Sequence, residues 1–396
     1  MKNPPDSDAA VLASHMERAR ALAPVIYGEA RAGEDAGALT GKCVEALRAS
    51  GLLRAGLPRE IGGDALPAGA LAQIIEEISR QDGSAGWVFG MNGFITGFCA
   101  AALPEAGIDA VFSSRAPGET WIAGGFPPQG RADREGEGWR VNAHCRFGSG
   151  AHHADFMCCT VVEFDGDTPV TDHGLPRMRS FVVPRADLRF VDNWDVAGLQ
   201  ATGSIDYLVE NLWIEDARTF VASAPEIQRG HVTFDLPLLA LAGAPHAAFV
   251  LGIAQRALEE FAALSHSRQR LASQDVLAAR GAIQLGFARA TTSLRAARGL
   301  VLSSLDQLAE ACRSDAGHTV ADRTGTTAAT IHAYEAALEA TTFAYRSAGT
   351  AALPRDHVLQ RCFRDIQAAS QHIVANDEGW ERLGQVWLGV TESGGF

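Results

Sequence analysis

A serine between two glycines, followed by two histidines, is the part of this chain whose residue types could best support chemistry. The segment WRVNAHCRFGSGAHHAD, Trp139–Asp155, contains the glycine-flanked Ser149 and then His152 and His153. Alternating apolar residues at its start predict a half-buried strand, and the glycines allow a ligand to approach the backbone closely. A serine between glycines is also typical of an ordinary turn. Adjacent histidines on an extended chain point in opposite directions, so no metal site is expected here.

Composition and charge are those of an ordinary soluble globular protein. The chain has 396 residues, long enough for two or three domains, and its net charge of -13 disfavours nucleic acid and anionic membranes as partners. The start, MKNPPDSDAA, lacks an apolar signal-peptide region, so a cytoplasmic location is expected. The uncharged run 85–103 contains glycines and lacks basic flanks, which favours a buried helix over a membrane span.

Three successive sequence patterns predict three domains. Residues 1–115 show helical periodicity and predict an α-helical domain. Residues 116–225 show short period-two runs separated by turns, which predict an antiparallel β-barrel or sandwich. Residues 226–396 are rich in alanine and predict a four-helix bundle. The four helical stretches expected there are 236–266, 274–312, 320–347 and 355–375.

Four short motifs, in this order, resemble those of one enzyme family. They are GSAGWVFG at 83–90, FGSGAHHADF at 147–156, WDVAGLQATGSIDYLVENLWIED at 194–216 and RCFRDIQAASQHIVAND at 361–377. With the α, β, helical-bundle order, they resemble the acyl-CoA dehydrogenase fold. The closest likeness is to the oxygenase components of two-component, reduced-flavin-dependent (group D) aromatic monooxygenases. The resemblance covers nearly the whole chain.

A missing carboxylate separates the two branches of that fold. An acyl-CoA dehydrogenase needs a carboxylate base to remove the α-proton of its substrate. The two places where the family carries that base correspond here to His372-Ile373 and to Pro237, and Glu378 matches only if a gap is introduced. The sequence therefore favours the monooxygenase. An acyl-CoA dehydrogenase with bound FAD, or an N- or S-oxygenase of the same fold, is the alternative.

The resemblance implies a specific reaction and specific partners. Reduced FMN or FAD, with FMN preferred, would come from a separate flavin reductase, and O2 would be the co-substrate. A small aromatic substrate, in the first place a phenol, would be hydroxylated through a C4a-hydroperoxyflavin. The chain has no nicotinamide-binding fingerprint, which fits reduction of the flavin elsewhere. A homotetramer is the expected assembly.

Three catalytic residues follow from the same resemblance. Ser149 corresponds to the residue that hydrogen-bonds near flavin N5. His372 corresponds to a histidine expected to act as general acid or base at the ring hydroxyl, a role worth about 10²–10⁴-fold in rate. His153 could assist deprotonation of a phenol or simply brace its loop. Of the adjacent pair, the sequence favours His153 over His152 for the pocket.

Six residues are implied to contact the flavin. They are Trp121, Ser149, Gly150, Thr202, Ser204 and Arg268. Each has a plainer alternative: a core position for Trp121, an ordinary turn for Thr202 and Ser204, and a solvated helix end for Arg268. Arg270 is an equal alternative for the contact with the flavin phosphate.

Overall fold

Helices form the first and last parts of the chain, with one large sheet between them. The computed structural model describes residues 5–269 and 275–392, and element counts refer to these residues. Before the sheet lie α1 (Pro5–Ala21), α2 (Ala23–Ala36), α3 (Gly41–Ala49), α4 (Ala68–Gln81), α5 (Gly83–Ala102) and α6 (Glu105–Phe112). After it lie α7 (His231–Phe234), α8 (Leu238–Ser265), α9 (Gly281–Arg313), α10 (Val320–Ala348), α11 (Val358–Ala369) and α12 (Asp377–Trp387). The predicted order of helices, sheet and helical bundle is confirmed.

Nine of the eleven described strands form one sheet. The strands are β1 (Ile122–Gly124), β2 (Gly130–Glu135), β3 (Gly138–Gly148), β4 (Phe156–Asp165), β5 (Thr168–Pro169), β6 (Thr171–Asp172), β7 (Leu175–Pro176), β8 (Met178–Pro184), β9 (Arg189–Val191), β10 (Ile205–Glu215) and β11 (Thr219–Val221). The order across the sheet is β11-β8-β4-β2-β3-β10-β9, with β1 and β5 also paired to β4. The remaining two, β6 and β7, pair with each other.

The sheet is mixed, so the prediction of an antiparallel β domain is wrong in this detail. Strand β4 pairs in parallel with β1, where Ile122 faces Phe156, and with β2, where Arg131 faces Val162. After β3 the chain crosses the turn that contains Ser149 and returns beside β1 and β2. Period-two alternation shows which side chains face the core, but it does not show which strand becomes the neighbour.

Helix α5 packs against both the other helices and the sheet. It is apolar on all sides, as a fully buried helix must be. Asp82 caps its first turn by accepting a hydrogen bond from the Ala85 N–H at 2.8 Å. At its other end, Thr96 Oγ1 accepts from the Ile122 N–H of β1 at 3.0 Å. The predicted buried helix is confirmed: α5 and α8 are the two described helices long and apolar enough to cross a membrane, but 83% and 78% of their most apolar windows are buried.

The last predicted helical stretch, 355–375, is an α-helix only in its first part. Helix α11 ends at Ala369, a 3-10 turn covers Ile373–Ala375, and α12 follows as a separate helix. His372 caps the 3-10 turn, because its Nδ1 accepts a hydrogen bond from the Val374 N–H. Asn376 caps α12 in the same way. These side-chain caps compete with continuation of the helix, so the chain turns at His372 instead of carrying it along a helix face. The stretch predicted from 274 likewise begins as α9 only at Gly281.

The loop 197–204, between β9 and β10, packs directly against the backbone of α11. Leu199 and Gly203 both adopt left-handed conformations, with φ of 55° and 53°. The Arg364 side chain donates to the Ala197 carbonyl at 2.8 Å. At Gly198 the approach is so close that a Cβ atom would lie 2.1 Å from the Arg364 carbonyl oxygen. Only glycine fits at this position.

Replacement of Gly198 by alanine is expected to push the loop away from α11. Overpacking of this kind costs about 1–3 kcal/mol of unfolding free energy. The matched control is Gly28→Ala in α2, where an added Cβ would meet nothing within 4 Å; it should stabilise by about 0.5–1 kcal/mol. Urea unfolding of both variants measures the difference. Equal stability of the two variants would contradict the close packing of the loop.

Candidate active site

The Ser149 hydroxyl lies at one end of a chain of hydrogen-bonded hydroxyl groups. Pairing of β3 with β10 places Gly148 opposite Ile205, so the residues next to them, Ser149 and Ser204, meet across the strands. The two serine Oγ atoms are 2.7 Å apart. Ser204 Oγ lies 2.7 Å from Thr202 Oγ1. The strand register therefore assembles the three hydroxyl groups.

The direction of this chain follows from its last acceptor. Thr202 Oγ1 donates to the Leu199 carbonyl at 2.9 Å, and a carbonyl oxygen has no hydrogen to give. Each hydroxyl has one hydrogen, so Ser204 donates to Thr202 and Ser149 donates to Ser204. On its other side, Ser149 Oγ accepts from the Trp87 indole N–H at 2.9 Å. One lone pair of Ser149 Oγ remains available for a further hydrogen-bond donor.

Gly150 joins the serine turn to α5 and to the loop 197–204. Its backbone N–H donates to the Thr202 carbonyl at 2.8 Å. Its φ is 76°, and a Cβ atom there would lie 2.4 Å from Asn92 Nδ2. The position therefore requires glycine for both conformation and space. Asn92 is 1% exposed, and neither polar atom of its side chain has a hydrogen-bond partner among the described residues.

Trp87 also belongs to a cluster of aromatic rings. Its ring meets those of His246 and Phe249 edge-on at 5.0 Å and that of His372 at 5.8 Å. The His246 and His372 rings are 4.3 Å apart between centroids. Helix α8 and the cap of the 3-10 turn thus converge on one indole of α5. Trp87 connects the hydroxyl chain to the histidine pair.

His372 is neutral and carries its proton on Nε2. Its Nδ1 accepts from the Val374 N–H at 3.3 Å, so the hydrogen of the neutral ring belongs on the other nitrogen. Burial lowers the pKa of His372 from 6.5 to about 4. Burial is the sole cause of this shift, and no carboxylate from the described part of the chain contributes to it. At neutral pH this side chain is therefore available as a hydrogen-bond donor through Nε2 and is a weak base.

His246 was not identified from the sequence. It follows the LAGAP segment on α8, is 5% exposed, and its Nδ1 lies 2.9 Å from the Tyr334 hydroxyl. Burial, together with the neighbouring His372, holds the pKa of His246 well below its usual range. The pair therefore consists of two neutral imidazoles. The sequence offered only a lone histidine in an apolar helix, which is more often a core residue than a site residue.

Comparison with known proteins places this site in a family. Residues 244–377 match the model of the acyl-CoA dehydrogenase C-terminal domain. The chain is 30% identical to an indole-3-acetate monooxygenase of Pseudomonas putida over 89% of its length and 88% of the relative. The chain belongs to the flavin-dependent monooxygenases of the acyl-CoA dehydrogenase fold.

Other relatives agree with this assignment. The oxygenase component of an FADH2-dependent resorcinol hydroxylase of Rhizobium sp. is 25% identical over 96% of this chain and 95% of its own. The structure of XiaF from Streptomyces sp., in complex with FADH2 and glycerol, has the same fold, with a TM-score of 0.87, 23% identity and 98% coverage of both chains. The monooxygenase predicted from the missing carboxylate is confirmed, with reduced flavin as cofactor and O2 as co-substrate.

The residues of this monooxygenase fit a reduced flavin at Ser149. Reduced flavin carries an N–H at N5, and the remaining lone pair of Ser149 is of the right kind to accept such a donor. Ser149, Thr202 and Ser204 are 8%, 1% and 4% exposed, so this group is almost closed to water. Of the hydroxyl groups predicted to contact flavin, Ser149 stands at the open end of the chain. Thr202 and Ser204 lie behind it.

The predicted site residue His153 lies apart from the hydroxyl chain. Its Nε2 donates to the Leu39 carbonyl at 2.8 Å, and its own carbonyl accepts from Arg48. Burial is the main cause that lowers its pKa. These contacts correspond to the bracing role that the sequence left open. His152 is exposed and packs against Gly203.

Trp121 and Arg268 also contact other groups. Trp121 is fully buried beneath the Arg48 guanidinium, 5.2 Å from the ring centroid, and its indole N–H has no partner among the described residues. Arg268 is exposed and donates to Thr350 Oγ1 at 3.2 Å. Their contacts with flavin stay predictions, and Arg270 lies outside the described residues.

Replacement of Trp87 by phenylalanine is expected to leave the orientation of the Ser149 hydroxyl less well fixed. The ring contacts with the histidine pair remain, but the hydrogen bond to Ser149 is lost, at a cost of about 0.5–1.5 kcal/mol. Product formed per O2 consumed should fall. Trp213→Phe is the control, because this exposed indole donates to the Glu135 carbonyl, far from the site. The same product yield in both variants would contradict the assigned role of Trp87.

His372 should stay unprotonated from pH 9 to pH 6 in NMR titration of the histidine rings. Its folded pKa lies below its ordinary value, so its contribution to stability is complete above about pH 6.5 and is lost as the pH falls toward 4. His372→Asn should reduce the loss of stability over that interval, whereas His332→Asn on the outer face of α10 serves as the control. A His372 ring that titrates near pH 6.5 would overturn the assignment.

Proposed function

We propose that this enzyme is the oxygenase component of a two-component system that hydroxylates a small aromatic, preferably phenolic, substrate. A separate reductase supplies reduced FMN or FAD. The observation that carries the proposal is that one indole contacts both predicted groups: the Trp87 N–H donates to the Ser149 hydroxyl at 2.9 Å, and its ring meets that of the neutral His372 edge-on at 5.8 Å. The serine suits the flavin, and the histidine suits the ring to be hydroxylated.

On the flavin side, the residues control one proton. Bound reduced flavin supplies the two electrons that activate O2. Ser149 accepts the N5–H in a hydrogen bond, because its own hydrogen is committed to Ser204. This bond would hold the proton on N5, and retention of that proton would favour oxygenation of the substrate over formation of hydrogen peroxide. The low exposure of Ser149, Thr202 and Ser204 excludes the water that would otherwise take the proton.

On the substrate side, His372 orients the ring through its Nε2–H. A donor suits the oxygen of a phenol or phenolate and stabilises the negative charge that develops there. With a pKa of about 4, His372 is a poor base toward a free phenol. Its role is therefore hydrogen-bond donation more than proton removal. This donor also favours a phenol over an indole N–H, which would need an acceptor.

The surroundings favour a flat, uncharged ring. The Trp87 ring contacts both histidine rings and the ring of Phe249. Farther along α5, Phe89 and Phe94 line an apolar cavity of about 50 Å³ together with residues of α4 and α8. Glu378, which matches a dehydrogenase base only if a gap is introduced, is exposed in the first turn of α12. It has no contact with His372 that shifts the pKa of that residue.

Assembly and location are part of the proposal. Leu285 and Leu300 are 54% and 41% exposed on the long helix α9. Apolar side chains on a bundle helix support association through the bundle, for which a homotetramer is proposed. The cytoplasm is the proposed location, where reduced flavin from a reductase is available.

Oxygen consumption with chemically reduced FMN or FAD and a panel of phenols tests the proposal. Hydroxylated product should form with the wild-type enzyme. Ser149→Ala should lower product per O2 by about tenfold or more, the scale of a lost hydrogen bond to a reacting group, with hydrogen peroxide in its place. Ser303→Ala on the exposed surface of α9 is the control. Reduction of a tightly bound FAD by an acyl-CoA, without oxygenation of any phenol or indole, would refute the proposal.

A further inference from the structure

A buried carboxylate of α11 accepts a hydrogen bond from the backbone of the loop 197–204. Asp365 is 2% exposed, and its Oδ1 accepts a hydrogen bond from the Leu199 N–H at 2.7 Å. The Leu199 carbonyl is in turn the final acceptor of the hydroxyl chain through Thr202. Asp365 therefore holds the N–H of Leu199, and the carbonyl of Leu199 is linked by hydrogen bonds through Thr202 and Ser204 to Ser149.

We propose that Asp365 is a positioning residue: as a carboxylate it fixes Leu199 and thereby the orientation of the Ser149 hydroxyl toward the flavin. The proposal rests on the proposed function, because it concerns the flavin-side hydroxyl. Leu199 needs such an anchor, since its left-handed φ of 55° is unfavourable for a residue with a side chain. Without the carboxylate, Leu199 is expected to leave the left-handed conformation, and its carbonyl would then turn away from Thr202.

Charged groups from two other parts of the fold, and one from its own helix, surround Asp365. Burial and Asp82, the cap of α5, raise the pKa of Asp365 to about 7, with a smaller contribution from Glu34 of α2. The Leu199 N–H and Arg361 oppose this shift. Arg361 Nε lies 3.4 Å from Asp82 Oδ2, so its charge is shared between the two aspartates. The ionisation of Asp365 therefore falls near neutral pH.

Two further groups complete these surroundings. Cys362, on the same helix, is also buried, and burial raises the pKa of its thiol to about 12, so it stays uncharged. Arg364 is engaged by Glu34 and by the Ala197 carbonyl. Asp365 Oδ2 lies against Gly83 at the start of α5, where a Cβ atom would come within 2.9 Å of it. Asp365 thus joins the start of α5 to the loop.

The sign of the pKa shift distinguishes positioning from simple stabilisation. The folded pKa lies above the ordinary value of 3.8, so the folded state prefers the protonated form. The stability contributed by that proton is complete below about pH 4 and is lost as the pH rises through 7. Ionised Asp365 therefore destabilises the fold at pH 8. Its charge strengthens the hydrogen bond to Leu199 and so serves the site.

Two substitutions separate charge from shape. Asp365→Asn keeps an acceptor for Leu199 without a charge, and Asp365→Ala removes the acceptor. At pH 8, Asp365→Asn should have a higher Tm than the wild type, and at pH 5 the two should be equal. Asp365→Ala should weaken FMN binding at least fivefold, measured by titration of the protein with FMN. Asp356→Asn, at an exposed position shortly before α11, is the control for both measurements.

The pH profile supplies the third measurement. For the wild type, product per O2 should rise about threefold from pH 6 to pH 8, as Asp365 ionises, whereas Asp365→Asn should show no such rise. A lower Tm of Asp365→Asn at pH 8, or a pH profile like that of the wild type, would overturn the proposal. If no aromatic is oxygenated but the Tm and FMN results are as expected, the proposed function fails while the role of Asp365 in flavin binding stands.

Discussion

The structure depends on one directional set of hydrogen bonds, which begins at the Leu199 carbonyl and ends at the Ser149 hydroxyl. Because a carbonyl only accepts, every hydrogen in the set is assigned, and Ser149 presents a lone pair. Serine hydroxyls in water would rotate freely among several partners. Here the pairing of β3 with β10, the left-handed turn at Leu199 and the indole of Trp87 together leave one arrangement.

The buried charged groups and the predicted site residues lie in different parts of this fold. The buried ionisable groups Asp82, Asp365 and Arg361 lie behind the loop 197–204, where they hold the backbone. The groups that face the aromatic cluster, His246 and His372, are kept neutral by burial. A neutral, dry pocket suits oxygen transfer, since mobile protons and water promote release of peroxide. A dehydrogenase of the same fold needs a charged carboxylate at that place instead.

Helix α5 explains how one fold can support both parts of the site. Its capped start lies beside Asp365, its second turn carries Trp87, and its third carries Asn92 against Gly150. A helix that is apolar on every side is buried on every side, so each of its turns is fixed by a different partner. Rigid support of this kind keeps a hydroxyl group aligned with a ligand to within a fraction of an ångström.

Resemblance to one family pointed to the missing dehydrogenase base and led to the prediction of Ser149 as a site residue. The sequence by itself determined the order of helices and strands, because periodicity and residue type are local properties. It did not reveal the parallel pairing of β4, the indole beside Ser149, the second histidine or the carboxylate behind Leu199. Those features join residues far apart in the chain: 62 positions separate Trp87 from Ser149, and 166 separate Leu199 from Asp365. Only the packing of α5, α8 and α11 around the sheet brings them together, and that packing also makes the histidines neutral by removing them from water.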